Sequence, residues 1–241
     1  MKTEQAPDTL VRLTDRVYYL PHFEPTDRPI LGYVRGDKCS LAIDAGASPA
    51  HVADFYRGID AEGLPRPSYT AITHWHWDHV FGMAYVDGAT IASRATNELL
   101  ADELHLSETD TDYWDGMRRD TRGFADEFPE GTMPTIVLSD IQFEDSLELD
   151  LGGVTVKLFR SVAPHTEDSV LIHIPSERVV FLGDSVYGMY DEQGEHAVDR
   201  TKLAILANTV RGLGCEWFAQ GHWKPLDAEG IEEDLDPGEE S

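Results

Sequence analysis

Cysteine is scarce in this chain: Cys39 and Cys215 are the only two, at no spacing that suits a metal-ligand or redox pair. They read as two reduced thiols in or near the core of a cytoplasmic protein. Long apolar runs are lacking too. No window approaches the roughly 18 uninterrupted apolar residues of a membrane span. The opening MKTEQAPDTLVRL is polar and acidic, without the basic and then apolar regions of a secretory signal. Basic residues are few, with 19 Lys and Arg against 45 Asp and Glu and a formal net charge of −26. Nucleic-acid binders gain affinity by neutralising phosphates, and no Lys/Arg cluster offers that here, so nucleic acid is excluded as a partner. Part of the acidity lies at the end, where Asp227 to Ser241 holds eight acidic residues and no basic one. That run is expected to be a solvated, partly frayed tail (227–241) behind a single domain over residues 1–226.

What remains is an ordinary globular composition. The 241 residues are 41% hydrophobic and 10% aromatic, enough to bury one sizeable core. LVRL, RVYYL, LGYVRG and KCSLAIDAG alternate β-branched and aromatic residues between prolines and glycines, and read as short strands. Ser48-Pro49 opens a helix reaching Tyr56 to Ile59, with Ser at the N-cap and Pro in the first turn. SYTAITH reads as a strand ending at His74, with a short helix starting near Asp78. Residues 93–128 are helical in pattern and carry Tyr113, Trp114, Met117, Phe124 and Phe128; these pack on the body, line a substrate pocket as a flap, or do both. Strands resume with TIVLSD from 135, then IQFED, SLELD, VTVKLFR, SVLIHIP and RVVFLGD. A last helix over roughly 197–213 leads into the strand CEWFAQ. This order suggests an α+β fold with two sheets packed together between helices, not a simple alternating α/β sheet.

The stretch THWHWDHVFG concentrates the chemistry. His74, His76, Asp78 and His79 fall within six residues on a loop between a strand end and a helix start. Imidazole and carboxylate suit zinc and related first-row metals, and such a loop can aim one pair at one ion and the other pair at a second. Three more candidates each follow a strand: His165 in APHTEDSV, Asp184 in FLGDS and His222 in AQGHW. Asp184 taken alone is an ordinary turn residue. His173, in the middle of SVLIHIP, reads as a side chain on a sheet face rather than a ligand.

THWHWDH, PHTEDS, FLGDS and GHW in this order resemble the metallo-β-lactamase fold superfamily along nearly the whole chain. The resemblance implies a four-layer αβ/βα sandwich, two mixed sheets face to face with helices outside, and ligand loops gathered at one edge. It implies that His74, His76 and His165 bind one divalent ion, that Asp78, His79 and His222 bind another, and that Asp184 bridges them. Zinc is the first choice of metal, with iron and manganese as alternatives. The implied chemistry is attack on a small-molecule ester, thioester, lactone or amide by a bridging hydroxide, with Asp78 orienting it and moving its proton.

An aspartate at position 184 is similar to the glyoxalase II and lactonase side of the superfamily, whereas the β-lactam-cleaving enzymes carry Cys or Ser there. Tyr187 stands at the offset from Asp184 where lactonases of the superfamily have a tyrosine that contacts the substrate carbonyl. It reads as a substrate-binding residue, or as a ring packed beneath its loop. Trp75, Trp77 and Trp223 wall the pocket or brace its loops. Two alternatives stay open: a mononuclear iron persulfide dioxygenase, and a non-catalytic sensor or partner domain. Oligomeric state is not legible.

Overall fold

The computed structural model describes residues 5–190 and 196–236. The first sheet has seven strands in sequence order: β1 (Val11–Arg12), β2 (Val17–Leu20), β3 (Leu31–Arg35), β4 (Ser40–Ile43), β5 (Tyr69–Ala71), β6 (Ala89–Ser93) and β7 (Ile141–Phe143). Its first four strands pair antiparallel, and β4 through β7 pair parallel. The second sheet contains β8 (Ser146–Asp150), β9 (Thr155–Arg160), β10 (Val170–Ile174), β11 (Val179–Gly183), β14 (Trp217–Gln220) and β15 (Leu226–Asp227), in the order β15-β14-β11-β10-β9-β8. A small ribbon joins β12 (Met189–Tyr190) to β13 (His196–Ala197).

Alternation within strands explains the layering. In β11, Val179 and Phe181 join Ile172 and Ile174 of β10 and Val34, Ile43 and Ile91 of the first sheet in the central core. Val180 and Leu182 point the other way, onto Leu203, Leu206 and Val210 of α6 (Arg200–Gly212). On the far side, Phe55 and Ile59 of α1 (Pro49–Ala61) cover Leu20, Tyr33 and Ala42. Each of these apolar side chains contributes roughly 1.5–3 kcal/mol by leaving water. The result is the expected sandwich of two mixed sheets with helices outside. The N-cap at Ser48 also forms, its hydroxyl accepting from the His51 amide at 3.2 Å. Both cysteines are free, and burial pushes the Cys215 thiol up to about 11.

Four details differ from the sequence reading. Residues 135–139 form no strand, because Asn97 accepts from the Ser139 amide at 2.8 Å and takes a donor that a ladder would use. Ile136 and Val137 instead pack on the helical segment. Strand β5 stops at Ala71, since the Thr73 amide donates to Asp44 Oδ1 at 2.8 Å instead of to a neighbouring strand. Helix α6 starts at Arg200 rather than 197, with Asp199 capping the Lys202 amide. The described part of the acidic end is anchored although its carboxylates stay exposed: β15 pairs with β14, and α7 (Gly230–Asp234) carries Ile231 into the α6 layer together with Leu235. Apolar residues four apart share one helical face, and they hold that segment down despite its charge. Residues 237–241 of the expected tail lie outside the described residues.

Residues 93–128 contain α3 (Arg94–Thr109), α4 (Tyr113–Asp120) and α5 (Phe124–Glu127). Trp114, Phe124 and Phe128 are buried against Phe81, Ile72 and Ala45, so these aromatics serve packing. Arg28, itself buried, ties this segment to the body: its guanidinium donates to Glu127 of α5 at 2.5 and 2.9 Å and to Asp54 of α1 at 2.7 Å. Among the described residues no helix is long and apolar enough to cross a membrane.

Candidate metal centre

Strand direction decides where the candidate ligands meet. Strands β4 and β5 run parallel, as do β11 and β14, and β9 shares the direction of β11 because both pair antiparallel with β10. Their C-terminal ends therefore lie at one edge, where open sheets place ligands. Asp44 follows β4, residues 72–79 follow β5 and enter α2 (Trp77–Val80), His165 follows β9, Asp184 follows β11 and His222 follows β14. Cross-links fix the two sheets there, with Val170 N donating to Thr73 O at 2.8 Å and Ile30 N to Gly221 O at 2.7 Å.

All seven sequence-predicted ligands come together. The donor atoms of His74, His76 and His165 lie within 4.8 Å of one another, and so do those of Asp78, His79, Asp184 and His222. Asp184 stands between the sets. Its Oδ2 is 3.5 Å from His165 Nε2, 4.0 Å from His74 Nε2 and 3.2 Å from His222 Nε2, and its Oδ1 is 3.4 Å from His79 Nε2. Asp78 Oδ2 is 3.1 Å from His222 Nε2 and 3.5 Å from His79 Nε2. A Cβ on Gly221 would stand 2.0 Å from Asp184 Oδ1, so only glycine lets the β14 loop pass this carboxylate.

Two charge environments share the site. Burial first, then neighbouring imidazoles, keeps His74 well below the ordinary histidine range, and burial lowers His76 to about 4 and His165 less far. These three rings are neutral near pH 7, and a neutral imidazole has one lone-pair nitrogen to offer. At His79 burial opposes protonation, yet Asp78, Asp184 and Asp44 overcome it and raise its pKa well above the usual value. His222 behaves alike, with Asp184 the main carboxylate. Burial also resists charge on Asp184, but His222 and His79 hold its pKa well below the ordinary value. The second set thus gathers buried negative charge that demands a cation.

The residues fit divalent metal. His74 Nε2, His79 Nε2 and Asp184 Oδ1 are buried inside the cluster with no hydrogen-bond partner. Buried polar atoms are rarely left so, unless an ion or water completes them. The donor set, imidazole plus carboxylate, is that of zinc, iron or manganese sites. Outward ring nitrogens are already fixed: His79 Nδ1 pairs with Asp44 Oδ2 at 2.8 Å and His74 Nδ1 with Thr73 Oγ1 at 3.1 Å. Asp44 was missed in the sequence, although AIDAG has the same form as FLGDS, an aspartate ending an apolar strand. Carboxylates in this outer position orient ligating histidines and raise their basicity.

A cavity of about 960 Å³ opens onto the cluster, lined among others by Trp77, Arg122, Tyr187, Met189 and Trp223. Tyr187 is held at its edge, with its amide donating to Asp184 O at 2.9 Å and its hydroxyl accepting from the His222 amide at 3.4 Å. Trp77 packs on Phe124 with ring centroids 5.2 Å apart, bracing the ligand loop against the helical segment. Trp75 lies 5.1 Å from the His76 ring, whereas Trp223 is 56% exposed at the cavity rim.

Comparison with known proteins agrees with this arrangement. The chain is 26% identical over 225 residues to acyl-coenzyme A thioesterase MBLAC2 of Gallus gallus, covering 86% of this chain and 76% of that one. The Homo sapiens protein of the same name is 22% identical over 187 residues, covering 73% and 65%. Among solved structures, a metallo-beta-lactamase from Pontibacter korlensis superposes with a TM-score of 0.67 at 15% identity, covering 94% of this chain and 96% of that one. The sec-alkylsulfatase Pisa1 from Pseudomonas sp. gives 0.71 at 14% identity, over 94% of this chain and 40% of its own. The family model described as Metallo-beta-lactamase superfamily matches residues 31–222, the span that runs from β3 to the last candidate ligand, and the chain belongs to that superfamily as one of its hydrolases.

Proposed function

We propose that the protein is a dinuclear metal-dependent hydrolase of a small-molecule thioester, ester, lactone or amide, working in the cytoplasm with zinc or, failing that, iron or manganese. One observation carries this reading: two donor sets meet at Asp184, and three of their buried donor atoms have no other partner. The thioesterase names of the curated relatives favour a thioester within the substrate class.

His74, His76 and His165 would hold one ion, Asp78, His79 and His222 the other, and Asp184 both. Bound there, such a pair would supply hydroxide near neutral pH, by lowering the pKa of water from about 15.7 towards ~7, and would polarise the scissile carbonyl. The chain's own residues do the rest. Asp78, which lines the cavity beside His222 Nε2, would take on its carboxylate the proton that the attacking water gives up and return it to the leaving group. The Tyr187 hydroxyl, already accepting from the His222 amide, keeps its own proton to donate to the carbonyl oxygen. Burial raises the phenol's pKa, so that proton stays in place at working pH.

The test is metal removal and return. Protein stripped by a chelator should be inactive on an acyl-thioester panel and regain turnover as two equivalents of zinc are restored. His74→Ala combined with Asp184→Ala should abolish metal uptake. Tyr187→Phe should keep both ions and lose about tenfold in kcat. A single bound iron with oxygen consumption on persulfides would replace this reading by the sulfur dioxygenase.

A further inference from the structure

Four imidazoles of the site have an outward nitrogen whose surroundings are clear, and three of these carry hydrogen-bond partners that the fold explains. His79 has Asp44, His74 has Thr73, and His165 Nδ1 faces the Gly188 carbonyl at 3.4 Å. The fourth is His222. Its Nε2 faces Asp78 and Asp184, while its Nδ1 is turned the other way and lies 3.4 Å from Asp27 Oδ1. That Nδ1 is buried and has no hydrogen-bond partner at this distance, so Asp27 is the acceptor in reach.

Asp27 is placed by a clamped loop, as the cap of a short turn over Glu24–Thr26. Its φ is +57°, in the left-handed region that side-chain-bearing residues adopt rarely. Its amide donates to Glu24 O at 3.2 Å, and Phe23 and Arg28 pair across the loop. From one side His22 holds the loop, its Nδ1 at 2.8 Å from Arg28 O and its ring edge-on to His222 with centroids 5.4 Å apart. From the other side the helical segment grips it. Arg122 donates to Glu24 O at 2.8 Å and to Glu24 Oε1 at 2.5 Å. Gly123 approaches so closely that a Cβ would stand 2.1 Å from Thr26 O.

We infer that Asp27 is a positioning residue for His222, doing for the second half-site what Asp44 does for His79, and that the helical segment sets its position through the 22–28 loop. The inference rests on the dinuclear reading above. It gives the 93–128 segment a task beyond covering the cavity: a shift of Arg122 and Gly123 moves Asp27, and with it the ring of a second-site ligand.

The experiment titrates zinc onto chelator-stripped wild type, Asp27→Asn and Asp27→Ala, resolving the first and second ion by chelator competition. Outer-sphere partners typically change metal affinity 10–100-fold. Asp27→Ala should weaken the second ion by about that factor and leave the first within about threefold. Asp27→Asn, which still accepts from Nδ1–H but lacks the charge, should fall between it and wild type. Thermal unfolding of the stripped proteins checks that each variant folds, and Asp27→Asn stands in should Asp27→Ala fail to. Two ions in wild type with second-ion affinity unchanged in the folded variants would overturn the role of Asp27 alone. A single ion in wild type would overturn the dinuclear reading and this inference with it. A third equivalent lost on Asp27 substitution would make the residue a ligand, with His22 and His222, and also overturn it.

Discussion

At the residue scale, the site depends on close approaches that only certain residues permit. Gly221 is the sharpest case, because a methyl group there would overlap Asp184 Oδ1 and come within 3.1 Å of His79 Cε1. The carboxylate that touches both donor sets would have to turn away. On the proposed dinuclear reading, Gly221→Ala should therefore reduce bound metal from two ions to one or none and lower turnover at least about tenfold, while the stripped protein unfolds within a few degrees of wild type. Elemental analysis of the purified variant checks this, and full occupancy would show that Asp184 has room to move. Residues such as this divide the legible from the illegible. His74, His76, Asp78, His79, His165, Asp184 and His222, whose donor atoms the fold gathers into two clusters, could be picked out in the sequence because imidazoles and carboxylates beside strand ends are the donors a metal would need. Asp44 could have been read by the same rule. Asp27 could not, since its turn PTDRP looks like any other and its value comes from a histidine nearly two hundred residues away.

At the element scale, the helical segment is built from side-chain pairs whose charge is partly withheld from water. Glu103 of α3 is buried and accepts from the Tyr113 hydroxyl of α4. Burial raises its pKa above the ordinary value, and the Tyr113 bond offsets this only in part. The folded state thus binds the Glu103 proton more tightly than the unfolded state does. Stability from this group is full below the unfolded glutamate value and declines as pH rises through the raised folded value. Glu103→Gln keeps an acceptor for Tyr113 and carries no charge at any pH. Its melting temperature relative to wild type should rise from pH 4 to pH 7, as followed by circular dichroism, and a constant difference would mean that burial costs the carboxylate nothing. Strand positions were largely legible because alternation and β-branching signal them. The 135–139 error arose where Asn97 took over a backbone donor, which is a tertiary event that no local pattern records. The anchoring of the acidic end was illegible for a similar reason: Ile231 and Leu235 decide its packing, while its charges dominate its composition.

At the scale of the whole molecule, the net charge of −26 opposes the compact state. Surface ion pairs such as Arg94–Glu144 and Arg178–Glu216 are exposed and few cations are available to form more. Such pairs return at most about 1 kcal/mol each. The long-range repulsion among the remaining carboxylates is screened by salt, as the Debye length falls from about 10 Å at 0.1 M to about 3 Å at 1 M. The fold should accordingly gain stability with salt, against the ordinary expectation that surface ion pairs weaken. Raising NaCl from roughly 0.1 to 1 M should lift the melting temperature of the metal-stripped protein by about 5 °C, equivalent to roughly 1–2 kcal/mol for a chain of this size. The metal-loaded protein should gain less, because ions held at the proposed site by Asp78 and Asp184 would neutralise the most concentrated negative charge. Equal gains in both forms would place the repulsion entirely on the outer surface, and a loss in both would mean that the ion pairs outweigh it.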